Sequence, residues 1–98
     1  MLRDPHHDLN LLSFRDFVAG KPANDAYDYE NRYCCACGQF ARHIGLYTEW
    51  MSAELHGPDI WSRLNRLAMG PIPHTYVGQA TRVTWGELLQ GIDKALSA

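Results

Sequence analysis

The helix that organises this protein is encoded by residues 31–47, whose sequence is Asn31-Arg32-Tyr33-Cys34-Cys35-Ala36-Cys37-Gly38-Gln39-Phe40-Ala41-Arg42-His43-Ile44-Gly45-Leu46-Tyr47. On a helix of about 100° per residue, the apolar side chains of this stretch share one face: Tyr33, Ala36, Cys37, Phe40, Ile44 and Tyr47. Cys35, Gln39 and Arg42 fall on the opposite face, and His43 lies at the border. The pattern predicts an amphipathic helix that turns one polar face away from the core.

The ends of this helix are predicted from residue type. Asn31 is a favourable N-cap, so the helix is expected to begin between Asn31 and Cys34. Gly45 can end it in a left-handed cap, or the helix can continue through this glycine. Cys37 is then a core residue, Cys34 flanks the core, and Cys35 points away from it.

The three cysteines allow three interpretations. Zinc binding would use Cys34, Cys35, Cys37 and His43, although structural zinc sites usually draw cysteine pairs from separate segments. A catalytic nucleophile would be Cys35, whose thiol pKa would be lowered at the first turn of a helix. Its base would be His43 or, since His43 lies two turns away on the same helix, the distant His74, and Gln39 would donate to the oxyanion. We favour a third interpretation, in which Cys34 and Cys37 pack as small hydrophobic side chains between closely spaced helices.

Composition limits the classes of protein that fit. A chain of 98 residues, 46% of them hydrophobic, predicts one folded domain, with an expected flexible arm at residues 1–8 and a helical domain at residues 9–98. We expect no membrane span and no signal peptide, and hence a cytoplasmic location with reduced thiols. A net charge of −2 offers no electrostatic reason to bind nucleic acid directly.

Further apolar stripes at helical spacing begin near Leu9, Leu46, Asp59 and Thr84. Thr84 and Glu87 have the spacing of a capping box, which predicts the start of the last helix. Residues 72–83 contain β-branched side chains around Gly78-Gln79 and predict either a short hairpin or an extended segment. The expected fold is a mainly α single domain of about four to five short helices.

Residues 24–30 alternate acidic side chains with tyrosines and are predicted to form a loop. Tyr27, Asp28, Tyr29 and Glu30 could form a recognition surface, since tyrosine supplies contact area at low entropic cost. Alternatively, the tyrosines pack this loop onto the domain. In the first case Gln39 and Arg42 would contribute to the same surface.

Two segments resemble small proteins of tailed phages and prophages. The first runs from Lys21-Pro22-Ala23 through the tyrosine-rich loop to Cys35-Ala36-Cys37-Gly38-Gln39-Phe40, and the second is Thr84-Trp85-Gly86-Glu87-Leu88-Leu89. Cys34 stands where the pattern of those proteins favours Asn. The resemblance implies a source more than an activity, because few proteins of that group have an assigned role.

The sequence thus leads to a functional hypothesis without a cofactor. We expect a non-enzymatic protein-binding module, encoded by a phage or prophage, that inhibits a host defence complex in the manner of an anti-CRISPR protein. Its partner would be a host protein or ribonucleoprotein in a bacterial cytoplasm. The alternatives are a small cysteine-dependent enzyme, a zinc-binding protein, and a homodimer whose exposed aromatic side chains bury each other.

Overall fold

Helices form most of the ordered structure. A computed structural model of the chain describes residues 4–28, 33–54, 57, 59–69 and 82–97. Within these residues, a 3₁₀ helix at Pro5–Asp8 precedes five α-helices and two short strands. In chain order the elements are α1 (Leu11–Ala19), β1 (Ala26–Asp28), α2 (Ala36–Ile44), α3 (Tyr47–Ser52), α4 (Ile60–Met69), β2 (Arg82–Thr84) and α5 (Trp85–Ser97). The predicted mainly α fold is confirmed.

Side-chain and glycine caps define several helix ends. Asp59 accepts a hydrogen bond from the Ser62 amide at 2.9 Å and so caps the start of α4. The Glu87 amide donates to Thr84 Oγ1 at 3.2 Å, and Thr84 donates from both N and Oγ1 to Glu87 Oε1, which confirms the capping box. Gly45 ends α2 with a φ of 81°, which is the first of the two predicted alternatives, because a residue without Cβ adopts this left-handed conformation without strain.

The two strands form a small antiparallel sheet that the sequence pattern did not predict. Tyr27 pairs with Val83, and the flanking pairs join Ala26 to Thr84 and Asp28 to Arg82. The prediction of a loop throughout residues 24–30 is therefore wrong for residues 26–28. The hairpin predicted at residues 72–83 lies almost wholly outside the described residues, and Arg82 and Val83 pair with this distant strand.

The core lies around α2, which packs against α1, α3 and α4, while α5 packs against α1 and α4. Phe14 of α1 meets Phe40 of α2 edge-on, with ring centroids 5.1 Å apart. The largest side chains with almost no exposed surface come from all five helices: Phe14, Val18, Cys37, Phe40, Trp50, Ser62, Leu64, Leu88 and Ile92. Burial of the apolar side chains in this set is the main contribution to the stability of the fold, at about 25 cal/mol per Å² of apolar surface removed from water.

Part of the N-terminal arm that was predicted to be flexible has regular structure. Residues 5–8 form the 3₁₀ helix, which Asp4 caps by accepting the His6 amide. The imidazole of His6 also lies 2.8 Å from Glu49 of α3. Flexibility of the arm as a whole stays a prediction, and residues 1–3 lie outside the described residues.

Candidate protein-binding surface

Cys35 is a buried cap of α2, which corrects the prediction that it points away from the core. Its backbone is extended, with φ −65° and ψ 172°, and its Sγ accepts a hydrogen bond from the Gly38 amide at 3.4 Å. Only 5% of the residue is exposed. Because α2 begins after Cys35, and not between Asn31 and Cys34, a helical projection does not describe the direction of this side chain.

The thiols are placed for packing. Cys37 is fully buried, as predicted, and Cys34 is half-buried. Burial raises the pKa of both the Cys35 and Cys37 thiols, which favours the protonated, unreactive form. This shift is opposite to the one that the nucleophile hypothesis for Cys35 requires.

The proposed zinc ligands do not converge. His43 is exposed and lies against Phe17 of α1, with ring centroids 5.1 Å apart, whereas Cys35 and Cys37 are turned inward. Among the described residues, no three His, Cys, Asp or Glu side chains are grouped so that they could hold a metal ion. The base considered for the nucleophile hypothesis, His74, lies outside the described residues.

Tyr27 is a core residue rather than a surface contact. Only 2% of it is exposed, its ring centroid lies 4.7 Å from that of Trp85, and its hydroxyl donates to the Ala68 carbonyl. The placement of Tyr27 on an exposed recognition loop is therefore wrong. Asp28 lies in β1, while Tyr29 and Glu30 lie outside the described residues, so their predicted contacts stay predictions.

Gln39 and Arg42 lie on one surface together with two tyrosines. The guanidinium carbon of Arg42 is 4.4 Å from the centroid of the Tyr47 ring, and Arg42 donates to the Tyr47 hydroxyl at 3.2 Å. The ring centroids of Tyr33 and Tyr47 lie 6.5 Å apart, and Tyr33 is 58% exposed. Gln39 donates from Nε2 to the Cys34 carbonyl at 2.8 Å. We refer to Tyr33, Gln39, Arg42 and Tyr47 as the Tyr–Arg surface.

Tyr33 and Tyr47 were missed as site residues because the helical projection placed both on the buried face. The helix does not extend to either of them: Tyr33 precedes the Cys35 cap, and Tyr47 follows the left-handed turn at Gly45. The glycine in the sequence was a signal for this break. Beyond it, the direction of Tyr47 is set by a new helix.

A groove of about 670 Å³ lies on another side of α2. Phe17, Phe40 and Ile44 contribute apolar surface, and Pro5 and Asp8 of the 3₁₀ helix also line it. Lys21 reaches over this region, with Nζ 4.8 Å from the centroid of Phe17. The groove therefore has an apolar part and charged groups of both signs around it.

The fold and the Tyr–Arg surface define a small, mainly α protein with an exposed group of aromatic and cationic side chains. Comparison of the chain with protein-family models, curated proteins and solved structures gave no match. None of the described helices combines the length and apolar character that a membrane-crossing segment requires.

Proposed function

We propose that the protein is a non-enzymatic protein-binding module that contacts its partner through the Tyr–Arg surface. The observation that carries this proposal is the stacking of the exposed Arg42 guanidinium on Tyr47, beside the exposed ring of Tyr33. Tyrosine and arginine are enriched among the residues that contribute most to binding at protein interfaces.

The arrangement lowers the cost of binding. The contact with Tyr47 restricts the side-chain conformations of Arg42 in the free protein, so less side-chain entropy is lost on association. Gln39 is likewise held by its bond to Cys34. A preorganised pair of aromatic rings and a guanidinium can therefore supply much of the binding energy of a small interface.

The charge of the surface favours an acidic contact on the partner. Arg42 takes part in none of the ion pairs formed between side chains that the structure describes. The exposed guanidinium can donate to a partner carboxylate while it stays on Tyr47. The sequence-based proposal that Asp28, Tyr29 and Glu30 also contact the partner is kept.

The narrower hypothesis, inhibition of a host defence complex in a bacterial cytoplasm, rests on the resemblance to phage and prophage proteins. A small protein that blocks such a complex needs a stable surface and no catalytic group. The Tyr–Arg surface supports the proposal that the protein binds another protein. Affinity capture would identify that partner.

Affinity capture from a bacterial lysate at low and high salt tests the proposal. We expect the natural chain to retain a defined partner, and Arg42→Glu and Tyr33→Ser to retain much less of it. Leu12→Ser is the matched control, because Leu12 is 64% exposed on α1 and belongs to no part of the Tyr–Arg surface. Retention should fall as salt increases, since exposed charge pairs are screened.

The variants must have unchanged circular dichroism, so that a loss of binding is not a loss of folding. Equal retention by Arg42→Glu, Tyr33→Ser and Leu12→Ser would exclude this surface as the binding site. If no protein is retained even at low salt, the proposed function itself is contradicted. Concentration-dependent mass of the isolated chain, abolished by Arg42→Glu, would instead assign the surface to a homodimer.

A further inference from the structure

We infer that His6 acts as a protonation-dependent clasp that fastens the N-terminal 3₁₀ helix onto α3. Both nitrogens of its imidazole face carboxylates. Nδ1 lies 3.0 Å from Asp4 Oδ1, and Nε2 lies 2.8 Å from Glu49 Oε1. The first contact is local, while the second joins residues 43 positions apart in the chain.

The two contacts together require the imidazolium form. A neutral imidazole has one N–H and one lone pair, so it can donate to only one of two ionised carboxylates. The other ring nitrogen would then face an oxygen lone pair and repel it. Protonation supplies the second N–H and turns both contacts into charge-assisted hydrogen bonds.

The surroundings of His6 favour its positive charge. Hydrogen bonds to Glu49 and then Asp4 raise the pKa of His6 above its ordinary value of 6.5, while His6 lowers the pKa of both carboxyl groups. Asp59, which caps the start of α4, lines the same shallow depression. The 3₁₀ helix itself also carries His7 and the acidic Asp8.

A hydrogen bond from α4 fixes the orientation of the Glu49 carboxylate. Trp61 of α4 donates from Nε1 to Glu49 Oε2 at 3.1 Å, so the two oxygens of Glu49 have different partners. This bond orients Oε1 toward His6. The clasp therefore links the 3₁₀ helix to α3, and through Glu49 to α4.

The sign of the pH dependence follows from the direction of each shift. Because the folded pKa of His6 is raised, its stabilising effect is complete below 6.5 and is lost as the pH rises through the folded value. The pKa values of Glu49 and Asp4 are lowered from 4.5 and 3.8, so their contribution is lost on acidification below those values. Between these pH limits His6 is protonated while Asp4 and Glu49 are ionised, so both hydrogen bonds of the clasp are formed.

Opening the clasp would alter the groove beside α2. Pro5 and Asp8, on either side of His6 in the chain, line that groove together with Phe17 and His43. Release of the 3₁₀ helix would remove this wall. A rise in pH through the His6 titration is therefore expected to change the shape of the groove.

Proton NMR titration of the histidine rings tests the clasp directly. In the natural chain we expect His6 to titrate above its ordinary value, and in Glu49→Gln to titrate at lower pH. His7→Gln is the matched control: it removes the neighbouring imidazole, has no carboxylate contact in the described structure, and should leave the His6 titration in place. His6→Gln removes one of the five histidine signals and so identifies that of His6.

Hydrogen exchange supplies a second measurement. The Leu9 amide donates to the His6 carbonyl at 3.1 Å, so its protection reports the closed 3₁₀ helix. After correction for intrinsic exchange, protection should fall as the pH rises through the His6 titration in the natural chain and in His7→Gln. In His6→Gln this pH dependence should be lost.

The inference is overturned if His6 titrates at the same pH in the natural chain and in Glu49→Gln, or if Leu9 protection shows no dependence on His6. Glu49→Gln could also disturb the Trp61 bond and so fail to fold. In that case Asp4→Asn, which leaves Glu49 and Trp61 unchanged, is expected to lower the His6 titration. An unchanged titration in Asp4→Asn would then overturn the inference.

Discussion

The hydroxyl of Tyr27 donates a buried hydrogen bond to the backbone carbonyl of Ala68 at 2.7 Å and so joins β1 to the end of α4. Since α4 ends at Met69, the Ala68 carbonyl belongs to the last turn and has no partner within its own helix. Tyr27 satisfies this acceptor and also packs its ring against Trp85. A residue predicted to contact a partner thus holds the domain together.

Tyr27→Phe should lower the free energy of unfolding by about 1–3 kcal/mol. The substitution keeps the ring but removes the donor that the described structure gives to the buried Ala68 carbonyl. Urea unfolding measures the loss. Tyr47→Phe is the matched control, because the Tyr47 hydroxyl accepts an exposed bond from Arg42 and its removal should have little effect.

Stability should also decline at alkaline pH. Burial raises the pKa of Tyr27 above its ordinary 10.0, and the pKa values of Cys35 and Cys37 above 9.0. The folded state therefore holds these protons more tightly than the unfolded state, and stability is lost as the pH rises above about 9. Urea midpoints from about pH 8 to about pH 11 check this. The decline should be smaller in Tyr27→Phe, and a flat profile would contradict the assigned burial.

Thiol labelling of the folded protein should distinguish the three cysteines. Cys34 is half-buried and should react first, while Cys35 and Cys37 are buried and should react only on unfolding. A disulfide reagent at neutral pH, followed by mass spectrometry, counts the labelled sites. Cys34→Ser should abolish the fast reaction. Fast labelling of Cys35 in that variant would instead revive the nucleophile hypothesis.

Trp85→Ala should destabilise the protein by about 3–5 kcal/mol, because it removes a large buried side chain. Only 4% of Trp85 is exposed, and its ring contacts Tyr27 and Phe17. Urea unfolding of Leu96→Ala, on the same helix but 40% exposed, provides the comparison and should change stability by at most about 0.5 kcal/mol. Equal effects would show that the buried face of α5 is wrongly assigned.

Two glycine substitutions should act in opposite directions. Gly45→Ala forces a Cβ into a backbone with φ of 81°, at a cost of about 1–2 kcal/mol. Gly91→Ala lies within α5, where an added Cβ meets nothing within 4 Å, and should stabilise by about 0.4–1 kcal/mol. Thermal unfolding of both variants gives the sign of each effect.

The helices were predictable because their signals are local. The capping box of Thr84 and Glu87, the Asp59 cap and the Gly45 stop each act within a few residues along the chain. The apolar stripe predicted to begin near Thr84 likewise forms α5, which buries Trp85, Leu88 and Ile92. Short-range hydrogen bonding and helical periodicity carry this information without knowledge of the rest of the fold.

The candidate surface was predictable only in part. Arg42 lies exposed as the helical projection indicated, and Gln39 lies half-buried beside it. Tyr33 and Tyr47 lie outside α2, so a projection of one continuous helix placed them wrongly. Cys35 was misplaced for the same reason, because its direction depends on a capping bond to Gly38 and not on helical phase.

The sequence by itself determined where this protein forms helices and which helical faces are apolar, since those properties depend on neighbours three or four residues apart. Tertiary structure alone decided that β1 pairs with β2 and that Tyr27 is buried, because both depend on segments more than 40 residues away. It also decided that Tyr33, Arg42 and Tyr47 lie together at the surface. Which side chains stay exposed and can bind a partner depends on long-range packing, and local periodicity does not encode that packing.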